Sequence, residues 1–133
     1  MEKLISDLKD YISVTQKLID QGEKTGSFRD DSTDYVEGYK DIFETFKSIV
    51  GGYAGEVLEP DINKRQDFLR RYINFYKLRY DHWNHIIITT RNELQLYKQL
   101  DRLRGKREAC RDIYNELLKM FNKLPEVDNE DSD

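Results

Sequence analysis

Only two prolines, Pro60 and Pro125, punctuate the chain, so almost all of it is free of the residue that breaks helices most effectively. A single cysteine, Cys110, excludes an internal disulfide and points to a reducing, cytoplasmic or otherwise intracellular setting. No apolar run exceeds the three residues Ile86, Ile87 and Ile88, which leaves nothing long enough to span a bilayer. The opening stretch MEKLISDLKDY lacks the apolar segment of a secretory signal. Catalytic signatures are missing as well: no Gly-rich phosphate loop, no GxSxG elbow, no HExxH and no facing ExxE pairs. The only histidines are His82 and His85, so Cys110 has no neighbouring base in sequence. These absences point away from an enzyme, and no cofactor is expected.

What the chain does contain is charge and aromatic side chains. Charged residues make up 36% of it, mean hydropathy is −0.84, and nine Tyr and one Trp raise the aromatic share to 12%. Wide rings with one polar edge suit a slim bundle with a thin core. The net charge of −4 conceals an uneven layout. Residues 1–61 hold 7 Lys/Arg against 14 Asp/Glu, residues 62–111 hold 13 against 5, and residues 112–133 hold 2 against 7. An acidic first half therefore faces a basic second half.

Apolar spacing predicts helices throughout, and so an all-α antiparallel bundle. Leu4, Ile5, Leu8, Tyr11, Ile12, Thr15, Leu18 and Ile19 form one stripe over about residues 2–22, with Gly22 or Gly26 as its end. A second helix begins at Ser32 or Thr33, with Asp34 and Glu37 in its first turn. Its stripe is Tyr35, Val36, Tyr39, Ile42, Phe43, Phe46, Ile49 and Val50, and Gly51-Gly52 is expected to stop it. Residues 51–59 then read as a loop, and Pro60 suits a helix start.

From Asp61 to about Arg104 there is no Gly and no Pro. Leu69, Ile73, Tyr76, Tyr80, Trp83, Ile87, Thr90, Leu94 and Tyr97 alternate in steps of four and three, the spacing of a coiled-coil-like seam. That spacing predicts one long helix, packed along this seam against a partner helix, either in the chain's own fold or in a homodimer. Two features compete with it. Five β-branched residues from Ile86 to Thr90 weaken helix propensity, and Thr90 with Glu93 matches a capping box. A turn there would give a compact four-helix bundle instead. Gly105 marks a second expected turn or kink, after which Cys110, Tyr114, Leu117, Phe121 and Leu124 form the last stripe. Residues 1–125 read as one domain and residues 126–133 as an acidic, disordered tail.

Three constellations carry candidate chemistry. Arg102, Arg104, Lys106, Arg107 and Arg111 form a dense basic cluster that would suit phosphate binding, with further Lys/Arg interleaved with Tyr and Trp upstream. The same charges could equally answer the acidic first half within the fold. Asp81, His82 and His85 share a helix face, but the register turns them from the seam and too few ligands accompany them for a structural metal. Cys110 falls on an apolar stripe, where a thiol acts as a small hydrophobe. The expected function is a non-enzymatic helical module for protein–protein interaction, an adaptor or a small subunit of an assembly. The alternative is a nucleic-acid-binding protein using residues 62–111.

Overall fold

Four helices follow one another in the computed structural model: α1 (Lys3–Thr25), α2 (Thr33–Glu56), α3 (Ile62–Thr90) and α4 (Tyr97–Lys123). These are the residues the structure describes, and all of them are helical. The architecture is an all-α bundle, with no helix among the described residues long and apolar enough to cross a membrane.

The direction of each helix follows from which residues meet. Asn84 meets Arg107 near one end of α3, and Arg70 lies over Phe121 near the other, so α3 and α4 are antiparallel. Phe46 packs edge-on to Tyr76 and Tyr53 stacks on Phe68, so α2 is antiparallel to α3. It follows that α2 and α4 run parallel. The seven residues between α1 and α2 reach at most about 28 Å, whereas a 23-residue helix is about 35 Å long. They cannot carry the chain back along α1, so α1 is antiparallel to α2.

The expected helix from Asp61 to Arg104 is therefore in two pieces. The chain reverses after Thr90, and the first half of the seam packs against α4 of the same chain. A local cause is visible at the break. The Thr89 hydroxyl shares its one proton between the carbonyls of His85 and Ile86, at 3.1 and 3.0 Å. Such back-bonding competes with the helical ladder and compounds the weak propensity of the β-branched run. Leu94 lies outside the described residues, as do Gly26, Ser32, Pro60, Pro125 and the tail.

Two glycine expectations also need correcting. Gly51-Gly52 do not stop α2, which continues to Glu56. Two glycines cost about 1 kcal/mol each against Ala in a helix. The stack of Tyr53 on Phe68, with centroids 4.0 Å apart and planes 23° apart, helps to offset that. Gly105 is not a turn either. It lies inside α4 at the point where α4 crosses α2. A methyl on Gly105 would overlap the Tyr35 carbonyl and the Tyr39 nitrogen, and one on Gly38 would overlap the Arg102 carbonyl. Each helix thus offers a glycine where the other's backbone passes.

That crossing makes α4 the helix around which the fold is arranged. It packs closely on both α2 and α3, while α1 rests chiefly on α2. Gly105, Ala109, Cys110, Ile113, Leu117 and Met120 are all buried. Where the helices diverge, rings fill the space. Tyr11, Phe43, Phe46, Tyr76, Phe75, Tyr72, Phe68 and Tyr53 form an unbroken chain of ring contacts across α1, α2 and α3. Small residues at the crossing and large ones beside it are two answers to one packing requirement.

Candidate interaction surface

The residues expected to form a seam are mostly internal. Leu69, Tyr76 and Ile87 are buried, and Ile73, Tyr80 and Trp83 are half-buried against the same core. Their partner is the chain's own bundle. Tyr97 begins α4 rather than continuing α3.

The basic cluster on α4 is matched inside the fold. Arg102 reaches Glu37 at 3.5 Å and Asp41 at 3.4 Å on α2. Arg104 pairs with Asp101 at 3.2 Å. Arg107 pairs with Glu108 at 2.9 Å and donates to the Asn84 side-chain carbonyl at 3.1 Å. Arg111 pairs with Glu108 at 2.7 Å. Lys106 sits over the Trp83 ring, 4.8 Å from its centroid. Most of these groups are at least partly exposed, so each pair contributes roughly 0–1 kcal/mol. A Tyr39 hydroxyl donating to Asp112 at 2.6 Å adds a further tie between α2 and α4.

A group of unmatched cations lies on α3. Arg70, Arg71, Lys77 and Arg79 are exposed and have no carboxylate partner among the described residues. Three of them lie over rings instead: Arg70 on Phe121, Arg71 on Tyr72 and Arg79 on Phe75, 5.4, 5.8 and 5.1 Å from the centroids. A guanidinium held flat on a ring keeps its N–H edge free for an acceptor. Leu78, 59% exposed, lies among them, and Ile88, 49% exposed, lies near the end of the helix. Asp81, His82 and His85 are exposed on this outer side, with His82 edge-on to Trp83. No group of three or more potential metal ligands forms among the described residues.

A cleft of about 390 Å³ opens between α2 and the first half of α3. Tyr53, Phe68, Tyr72 and Ile49 supply its apolar wall, and Ser48, Asp67 and Arg71 its polar one. Deeper in, Cys110 and Tyr76 lie near each other in the core. Burial pushes the Cys110 thiol up to about 12, against a partial opposing effect of Arg79. Burial also drives the Tyr76 phenol well above its usual range, and the adjoining thiol adds to the shift. Both groups stay protonated and uncharged at neutral pH, which suits packing rather than nucleophilic attack.

Spacing alone had Leu18 inside the first apolar stripe. It is 53% exposed, and Val14, one turn before it, is 59% exposed. Helix α1 has one close neighbour, so one edge of its stripe is left uncovered. The contrast between satisfied cations on α4 and unmatched ones on α3 had a partial signal in the sequence: α4 carries 8 Lys/Arg and 4 Asp/Glu against 6 and 2 on α3, and most of its ion pairs are with carboxylates within four residues on α4 itself. Compared with models of known protein families, with curated protein sequences and with solved structures, the chain matches none.

Proposed function

We propose that the protein is a non-enzymatic helical interaction module, an adaptor or small subunit, that docks a protein partner on the outer face of α3. The observation that carries this reading is the set of unmatched cations around Leu78. The α4 cluster from Arg102 to Arg111 already has partners within the fold, whereas Arg70, Arg71 and Lys77 flank an exposed leucine and have no carboxylate partner among the described residues. An apolar residue within a ring of unpaired charge is the composition of an interface patch, with steering charges around a dehydrating contact.

A second reading has its own support. Guanidinium groups lying on rings along one helix also resemble a surface that tracks a phosphate backbone and stacks bases. Capture from native lysate, with and without nuclease, separates the two. The proposal expects protein partners that survive nuclease and are lost with Leu78→Glu. It also expects Arg102, Arg104, Lys106 and Arg107 changed together to Gln to have little effect, because those groups are engaged within the fold. Recovery of nucleic acid alone, abolished by nuclease, would establish the second reading instead.

A further inference from the structure

We propose that the partner met by the α3 face is the α1 helix of a second copy of this chain, in a twofold-symmetric dimer. The inference rests on the docking face argued above and assigns its occupant.

The argument begins with what α1 exposes. Asp10, Val14, Lys17 and Leu18 share one outward stripe at helical spacing and are all exposed. Neither Asp10 nor Lys17 has a partner among the described residues. Read from N- to C-terminus, the stripe is negative, apolar, positive, apolar. On α3 the outward stripe is Arg71, Leu78 and Asp81, again exposed and without ion pairs among the described residues. Read in the same direction it is positive, apolar, negative. The two stripes are complementary only when they run parallel. In that alignment Asp10 approaches Arg71, the Val14–Leu18 ridge covers Leu78, and Lys17 approaches Asp81. Antiparallel alignment would bring Asp10 to Asp81 and Lys17 to Arg71, and like charges oppose association.

The fold meets this directional requirement. Helices α1 and α3 are both antiparallel to α2, so they are parallel to each other. Phe46 touches Tyr11 of α1 and Tyr76 of α3, so rings from both helices meet on the same residue of α2. A twofold axis parallel to the helices preserves direction and lays α1 of each copy along α3 of the other, twice over. That is the self-complementary contact a closed dimer requires. The charge division between residues 1–61 and 62–111 then serves the contact between copies as well as the α2–α4 contact within one.

Sedimentation velocity over micromolar to submillimolar concentrations tests the assignment. Wild type should reach a dimer. Leu18→Glu and Leu78→Glu should each sediment as monomers while keeping wild-type circular dichroism and melting. Asp10→Arg and Arg71→Asp should each weaken self-association by about tenfold, and the double exchange should restore it to within about threefold. A wild type that stays monomeric throughout, or a dimer indifferent to these four changes, overturns the proposal. A monomeric wild type that still captures a protein lost with Leu78→Glu leaves the docking face standing and removes only the second copy as its occupant.

Discussion

Alanine at the helical glycines should act with opposite sign depending on what each glycine faces. At Gly38 and Gly105 the added methyl would overlap backbone atoms of the opposing helix: the Arg102 carbonyl in one case, the Tyr35 carbonyl and Tyr39 nitrogen in the other. A side chain could rotate away, but a helix backbone moves only as a body, so α2 and α4 would have to separate. Overpacking of this kind costs about 1–3 kcal/mol. A gap of 0.5–1 Å also forfeits roughly a quarter to a half of the dispersion energy of the atoms that line it. The buried Tyr35, Tyr39 and Ala109 would share that loss. Overlap with rigid backbone puts the cost at the upper end of that range, about 3 kcal/mol, and alanine returns about 1 kcal/mol of helix propensity, so the net loss expected is about 2 kcal/mol at either site. At Gly51, Gly52 and Gly55 the methyl would meet nothing within 4 Å. There the propensity gain stands alone, at about 0.5–1 kcal/mol per site. Urea denaturation followed by far-UV circular dichroism resolves both signs. Gly38→Ala as stable as wild type would mean that the helices are not in backbone contact. Gly52→Ala that destabilises would mean that α2 does not continue as a helix past Gly51.

Three further outcomes follow from the core. Tyr76 is buried and its hydroxyl finds no hydrogen-bond partner among the described residues. Tyr76→Phe should therefore be neutral or stabilising by about 1 kcal/mol, and a clear loss in denaturation would reveal a partner for that hydroxyl. Trp83 is half-buried under Lys106 while His85 is exposed. Trp83→Ala should cost about 2–4 kcal/mol and His85→Ala under about 0.5 kcal/mol; equal losses would contradict the orientation of α3. Stability should also fall in alkali. The folded Cys110 thiol holds its proton up to about pH 12, against an ordinary value of 9.0. Its contribution is thus complete below about pH 9 and is lost as pH rises from there to about 12. The slope is about 1.4 kcal/mol per pH unit, and Tyr76 adds its own above pH 10. Unfolding free energies measured across that range should decline less steeply in Cys110→Ala, and an unchanged slope would show that the thiol is not shielded.

The sequence alone determined what depends on near neighbours. Helical periodicity placed the buried face of α2, from Tyr35 and Val36 through Phe43 to Val50, and Thr33 with Asp34 marked where that helix begins, because side-chain spacing and first-turn charge are local properties. The same reading established the all-α class and the division of charge. Tertiary structure decided the rest. It kept the weak run from Ile86 to Thr90 helical and reversed the chain after it, carried α2 through two glycines that should have ended it, and turned Gly105 from an expected bend into the point where two backbones meet. It also decided that Arg102 meets Glu37 and Asp41 on α2 and that Arg107 meets Asn84 on α3, and that Leu18 stands outside the core it was spaced to join. The physical reason is one of scale. Local preferences at these positions differ by tenths to about one kcal/mol per residue, whereas a helix seated on its neighbours gains several. Contacts between helices depend on which helices lie against each other, and no spacing within a single helix encodes that.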